Sequence, residues 1–219
     1  MKKTTILFDL DGTLIDSTEA ILESFYYAFE KQQFDFIGDD AAIKSHIGYP
    51  LDVMFHNLGV EKEKVWDFVD SYKENYQKIS EEKTKLIEGA KESVELATTF
   101  SRVGVVTTKT TEFSIKLLKT LGIWDNIETI IGRQEVENPK PSPEPIEKAL
   151  KMMNIVPSKD VFMIGDTKLD LIAANKAGVS SCGVLSGDGY KEELSSYTPL
   201  VVTDALEAIK LIKSTVSKA

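Results

Sequence analysis

Residues 6–16 read ILFDLDGTLID. A run of apolar residues ends in three acids at spacings of two and five: Asp9, Asp11 and Asp16. In a chain of formal net charge -9, this presses carboxylates together where a buried strand would stop. Like charges repel at such distances. Either a cation sits among these acids, or the cluster is solvated and without consequence.

Working outward, short apolar runs rich in β-branched residues recur: TTILFDL (4–10), SRVGVVTT (101–108), ETIIG (128–132), DVFMIGD (160–166), SSCGVL (180–185) and PLVVT (199–203). Their apolarity is continuous, which predicts strands buried on both faces, as in a parallel sheet. Amphipathic stretches separate them. TEFSIKLLKTLG sets Phe113 with Leu117, and Leu118 with Leu121, and stops at Gly122. PEPIEKALKMMN aligns Ile146, Ala149, Leu150 and Met153. TDALEAIKLIKS starts on a Thr/Asp cap and repeats Leu206, Ile209 and Ile212. Alternating strands and helices predict a doubly wound α/β domain.

One region departs from the alternation. Between about residues 15 and 88 the pattern is helical, with no strand evident. STEAILESFYYAFEKQ places apolar residues at 21, 25, 28 and 29. DDAAIKSHIG is capped by Asp39 or Asp40, and PLDVMFHNLG has Pro50 in its first turn. EKEKVWDFVDSYKENYQKIS repeats Val65, Phe68, Val69, Tyr72, Tyr76 and Ile79. The expected organisation is a core domain of residues 1–14 and 88–219, interrupted by a helical domain of residues 15–87.

Composition narrows the function. Hydrophobic residues make up 42% and charged residues 28% of the 219, an ordinary balance for a globular protein. Acids outnumber bases with no basic stripe, which argues against a nucleic-acid partner. No apolar stretch reaches the roughly 20 residues needed to span a bilayer, and the first apolar run is too brief for a signal peptide. Cys182 is alone, which excludes an intrachain disulfide and fits a reducing, cytoplasmic setting; it reads as a small buried residue.

In doubly wound sheets, ligands bind beyond the carboxyl ends of the strands. Asp9 and Asp11 follow the first strand, Thr107 and Thr108 the second, Lys140 lies in the loop after the third, and Asp166 and Asp170 follow the fourth. Taken singly, each has a plainer reading: a turn, a strand-end cap, a solvated loop lysine, a helix cap. A calcium loop fails on register, because Leu14 and Ala20 stand where glycine and glutamate are needed. Order and strand-end placement together point to a phosphate ester handled with Mg²⁺. Magnesium takes carboxylate and phosphate oxygens, which Asp9 and Asp166 can share. An aspartate can attack phosphorus, and a second acid two residues on can move protons. Lys140, the Thr107 hydroxyl and the backbone N–H groups of DGTL (11–14), where Gly12 lets the backbone approach closely, can face the charge of the transferring phosphoryl group.

The four segments resemble the signature of the haloacid-dehalogenase superfamily, in its phosphoglycolate-phosphatase-like branch. FDLDGTLID is similar to the first motif, VVTTK to the second, PKPSPEP to the third and IGDTKLDL to the fourth. The resemblance implies Asp9 as nucleophile and Asp11 as general acid–base, with the Asp11 backbone carbonyl reaching the metal. It also implies Thr107 as a phosphate ligand and Thr108, where many relatives have Asn, as a substrate contact through its backbone donor, with Lys140 as the catalytic lysine, Asp166 as metal ligand and Asp170 as its supporting acid. The inserted helices resemble the family's cap, which closes over the site. HIGYPL (46–51) is similar to its specificity loop, which implies Gly48 and Pro50 as substrate contacts.

The expected activity is a Mg²⁺-dependent phosphatase acting on a small phosphorylated metabolite through an aspartyl-phosphate, with 2-phosphoglycolate first by resemblance. Sugar phosphates, nucleotides and pyrophosphate stay open, as does a phosphomutase. A dehalogenase is disfavoured by Asp11, a signalling receiver by the helical insertion after the first strand, and an inactive interaction protein by the intact motifs. The first three helices of the insertion carry no arginine, so a substrate carboxylate would need Lys44, Lys73 or backbone donors. His46 is a helix-end or substrate-contacting residue, His56 is structural, and Tyr26, Tyr27 and Trp66 are expected in the core of the insertion. A monomer and a homodimer both fit.

Overall fold

The structure, a computed structural model, describes residues 3–216; the outermost residues of the predicted core segments, 1–2 and 217–219, lie outside them. β1 (Thr4–Phe8) is buried along its whole length. Ile6 and Phe8 enter one apolar cluster and Leu7 another, because successive side chains of a strand face opposite ways. A strand covered on both faces has no use for polar alternation. β1 pairs in parallel with β4 (Ser101–Val106) on one side and β6 (Val161–Gly165) on the other. β5 (Thr129–Ile131) lies beyond β4, and β7 (Ser180–Val184) and β8 (Val201–Val202) lie beyond β6. The order is β5-β4-β1-β6-β7-β8. All six strands of this sheet fall within the apolar runs read from the sequence.

Helices cover both faces. α5 (Ala90–Thr98), α6 (Thr111–Thr120) and α10 (Ala205–Val216) pack on the side of Ile6 and Phe8. α7 (Glu144–Met152) and α8 (Lys168–Lys176) pack on the side of Leu7, burying the expected Ile146, Ala149, Leu150 and Met153. In α10 the buried residues are Ala205, Ala208, Ile209 and Ile212, while Leu206 is half-buried; its inward face is turned by one position from the predicted one. Asp204 caps that helix, its Oδ1 accepting from the Glu207 N–H at 2.9 Å. α9 (Lys191–Leu194) is a single turn.

The insertion contains α1 (Thr18–Lys31), α2 (Asp40–Lys44), α3 (Leu51–Asn57) and α4 (Val65–Ile79). They enclose an apolar cluster of their own, centred on Phe25, Phe29, Phe55, Phe68, Tyr72 and Tyr76. Asp39 caps α2 by accepting from the Ala42 N–H at 3.0 Å. Two expectations fail here. The stretch does contain strands: β2 (Ile15–Asp16) and β3 (Lys85–Leu86) pair antiparallel where the chain leaves and re-enters the sheet domain. Two residues are too few to show a period. Tyr26 and Trp66 are 40% and 60% exposed rather than core. Phe25 and Phe29 occupy the inward face four residues apart, and Tyr26 is turned about 100° away from it. Tyr27 is half-buried and donates to Glu74 Oε1 at 3.0 Å.

No helix among the described residues is long and apolar enough to cross a membrane.

Candidate active site

The chain runs outward from β1 through β4 to β5, then returns to the far side of β1 for β6, β7 and β8. The strand order therefore reverses at β1, and the crevice at that reversal is where an open α/β sheet binds ligands. Asp9 follows β1, Thr107 follows β4 and Asp166 follows β6. The Asp9 N–H donates to Ile164 O at 2.8 Å and the Thr107 N–H to Ile131 O at 2.9 Å, so both backbones are held by the ends of the ladders.

Among the described residues, Asp9, Asp166 and Asp170 each present a carboxylate oxygen within 4.8 Å of the others, all buried. Lys140, 3% exposed, reaches into this group from the loop before α7. Its Nζ lies 2.8 Å from Asp9 Oδ1 and 2.5 Å from Asp170 Oδ1 and donates to Val106 O at 3.1 Å. The solvated-loop reading of this lysine is excluded. Asp170 accepts at Oδ2 from the Thr167 hydroxyl (2.8 Å) and N–H (3.2 Å). This reciprocal cap starts α8 and leaves Asp166, the other candidate cap, facing the crevice. Asp166 accepts from Thr13 Oγ1 at 3.2 Å and from the Asp188 N–H at 3.0 Å.

Burial, then the neighbouring charge of Asp170, pushes Asp9 up to about 7, against the pull of Lys140. Burial, then Asp9 and Asp170, raises Asp166 well above the usual carboxylate range. Burial alone would lower Lys140, but the charges of Asp170 and Asp9 outweigh it and hold the ammonium on. Fully ionised, three carboxylates against one ammonium would leave about two negative charges in a dry site; the raised Asp9 and Asp166 relieve this by holding protons, and a bound cation would relieve it in their place. Asp9 Oδ1 is buried, and its one close polar neighbour is the ammonium of Lys140, in ion-pair contact at 2.8 Å, so it keeps acceptor capacity to spare. The donor set is all oxygen, which suits a hard divalent ion such as Mg²⁺. The residues present fit that ion.

Asp11 stands apart from the trio. Ser17 Oγ donates to its Oδ1, and Lys109 Nζ lies 3.2 Å from its Oδ2. Gly12 has φ +75°, and a Cβ there would meet Asp166 Oδ2 at 2.4 Å, so only glycine admits the turn. Of the DGTL backbone groups expected to face a phosphate, the N–H groups of Gly12, Thr13 and Leu14 donate to Ile15 O and Leu10 O within the turn. A tight turn satisfies its own donors, and the buried Thr13 contributes its hydroxyl to Asp166.

Above the strand ends, the helical insertion closes a crevice of about 260 Å³. Asp11, Gly48, Thr108 and Lys109 line it, with Lys73 and Arg133 as further cations and Ile21, Ile47, Val69, Tyr72 and Phe113 as apolar wall. Gly48 packs near Thr167, whereas Pro50 is buried at the head of α3. His46 bonds Ala42 O through Nδ1 at the end of α2, and His56 contacts Val60 O likewise. Lys44 lies in a side pocket with Asp188. Cys182 is buried, which pushes its thiol up to about 12, leaving it unreactive.

Four contributors escape a reading of the sequence. Lys109 closes the VVTTK run, and only its distance from the strand end is a signal. Ser17 reads as a helix cap. Arg133 lies in an unpatterned loop. The loop at residues 186–189 locks the site from the far side: Ser186 Oγ donates to Gly12 O at 2.8 Å, and a Cβ on Gly187 would stand 2.0 Å from Asp166 Oδ2.

Residues 6–184 match the family profile described as haloacid dehalogenase-like hydrolase. Pyrophosphatase PpaX of Halalkalibacterium halodurans is 32% identical, over 95% of this chain and 98% of its own length. Pyrophosphatase PpaX of Bacillus anthracis is also 32% identical, over the whole of both chains. A solved structure described as a predicted phosphatase from Clostridium acetobutylicum superposes with a TM-score of 0.87 at 28% identity, covering 96% of this chain and 98% of that one.

Proposed function

Because the chain belongs to the haloacid dehalogenase-like hydrolases, we propose that it is a Mg²⁺-dependent phosphatase that cleaves a small phosphorylated metabolite through an aspartyl-phosphate on Asp9. The observation that carries this reading is the buried group of Asp9, Asp166 and Asp170 around Lys140 at the strand reversal.

Asp9, Asp166 and the Asp11 backbone carbonyl would hold the metal, with Asp170 behind them fixing Lys140. When bound, the ion supplies positive charge to the phosphoryl oxygens. The Asp9 carboxylate attacks phosphorus, forming an acyl-phosphate bond as the bond to the leaving oxygen breaks; Asp11 gives that oxygen a proton. Asp11 then takes a proton from water, whose oxygen attacks the same phosphorus, and Asp9 departs from phosphate as a free carboxylate. Lys140 and the Thr107 hydroxyl face the charge that develops. The apolar wall and the insertion exclude bulk water.

The decisive measurement is phosphate release from 4-nitrophenyl phosphate with and without Mg²⁺, in the parent protein and in Asp9→Asn. Turnover is expected only with Mg²⁺ and is expected to fall at least about a thousandfold in the variant. Undiminished turnover in Asp9→Asn overturns the nucleophile. A phosphomutase would instead need a bisphosphate activator and release little phosphate.

Pyrophosphate is a second reading of the substrate, favoured by the two full-length relatives and by two cations, Lys73 and Arg133, lining the crevice. The same cations could meet the carboxylate of 2-phosphoglycolate, and the apolar wall suits an organic leaving group. Relative kcat/KM across pyrophosphate, 2-phosphoglycolate, sugar phosphates and nucleoside monophosphates separates these.

A further inference from the structure

We infer that Lys109 is a positioning residue that sets the orientation of Asp11 from the seat of the helical insertion. The inference rests on the phosphatase reading and extends it to a residue outside the four strand-end roles.

Lys109 leaves the loop after β4, turned inward by its N–H, which donates to Thr107 Oγ1 at 3.1 Å. Its side chain is 8% exposed and its Nζ contacts two elements at once. On the sheet side it lies 3.2 Å from Asp11 Oδ2. On the other side it donates to the Tyr76 hydroxyl at 2.8 Å, 4.5 Å from the centre of that ring. Tyr76, in the last full turn of α4, is 1% exposed. It is stacked on Tyr72 at 5.4 Å and 12° and stands edge-on to Phe113 of α6 at 5.4 Å and 68°. The hydroxyl therefore cannot wander, and neither can the ammonium bound to it.

A buried ammonium is stable only where it is paired and hydrogen-bonded. Asp11 and Tyr76 are the two partners that meet this need, one from the sheet domain and one from the insertion. The same contact constrains Asp11 in return. Ser17 fixes one of its oxygens and Lys109 the other, so its carboxylate plane is set by two donors. An acid that must reach a leaving oxygen and then a water depends on that plane, because proton transfer needs hydrogen-bond distance. A lysine that merely bound substrate would not need the tyrosine. A lysine that merely glued the insertion in place would not need Asp11.

The test compares Lys109→Met, Lys109→Arg and Tyr76→Phe with the parent in Mg²⁺, using an alkyl phosphate and 4-nitrophenyl phosphate, whose leaving group departs without a proton. Lys109→Met is expected to lower kcat on the alkyl phosphate by about tenfold or more, with KM changed less than about threefold, and to lower it several-fold less on 4-nitrophenyl phosphate. Lys109→Arg should recover part of the loss, and Tyr76→Phe should show a smaller loss of the same kind. Equal losses on both substrates, a rise in KM alone, or full activity in Lys109→Met each overturn the inference. Should Lys109→Met fail to fold, judged by circular dichroism, the same leaving-group contrast in Tyr76→Phe decides: its absence overturns the inference. Parent turnover that vanishes in Asp9→Asn keeps the phosphatase reading standing whatever Lys109 does.

Discussion

Asp9 and Asp166 stand at the ends of neighbouring parallel strands whose register sets Phe8 opposite Ile164. The separation of the two backbones is thus set by ladder hydrogen bonds rather than by flexible loops. Both side chains are buried there, which makes their charge state the sensitive variable of the site.

Lys140 is the charge that keeps this arrangement tolerable in the absence of metal. Replacing it by methionine leaves Asp9 and Asp170 facing each other without a cation. Breaking a buried pair in this way costs about 3–5 kcal/mol, and at about 2–4 °C per kcal/mol the unfolding midpoint should fall by roughly 10 °C. Differential scanning calorimetry checks this; an unchanged midpoint would mean the lysine carries no net stabilisation.

Asp9 gives stability a pH dependence, in the same direction as Asp166, whose carboxyl burial also raises. The folded Asp9 pKa of about 7 exceeds the ordinary 3.8 of an unfolded aspartate, so the folded state binds the extra proton between those values. Stability of the metal-free protein should therefore fall as pH rises from about 4 through 7, by on the order of 4 kcal/mol from this group. Urea unfolding at pH 5 and pH 8 in EDTA measures it. Asp9→Asn should reduce the difference, leaving the part that Asp166 contributes, and a metal-free protein more stable at pH 8 would contradict the assignment.

Adding Mg²⁺ should offset much of that penalty. Saturation at a hundredfold the dissociation constant stabilises by about 2.7 kcal/mol, seen as a rise in the unfolding midpoint with ion concentration. Asp166→Asn should abolish the rise while folding normally, since the amide oxygen can still accept from the Asp188 N–H while Nδ2 donates to a Thr13 hydroxyl that turns to accept it.

Gly187→Ala tests the locking loop. The added methyl would stand 2.0 Å from Asp166 Oδ2 and 2.7 Å from Gly12 Cα, so either the loop or the carboxylate must shift. Activity is expected to fall at least about tenfold, as misplacing a catalytic group by about 1 Å does. Gly178→Ala is a contrast: no atom lies within 4 Å of its added Cβ, but its φ of +73° costs stability rather than activity. Equal activities in the two variants would remove the loop from the mechanism.

The legible parts of this protein are those written as periods and strand-end chemistry. Every strand of the main sheet shows as an apolar run because both faces are covered, and α4 is legible through Val65, Phe68, Val69, Tyr72 and Tyr76. The acids and Lys140 are legible because the crevice gathers residues lying just past the strand ends. Contacts set by tertiary packing are not. Lys109 meets Asp11 from far along the chain, Ser17 turns its hydroxyl from helix capping to a carboxylate, and the two residues of β2 pair with a β3 that comes only after four helices. The fold creates these neighbours; no local pattern encodes them.

The hairpin of β2 and β3 carries one more implication. Because these two strands pair with each other, the chain departs for the insertion and comes back through a single doorway, outside the six-stranded ladder. Residues 17–84 can thus be exchanged for another segment whose ends meet at the same spacing without shifting the register of any sheet strand. Evolution or an engineer can alter what enters the crevice while the sheet keeps its footing, provided the new segment restores the contacts that Ser17 and Tyr76 make with Asp11 and Lys109.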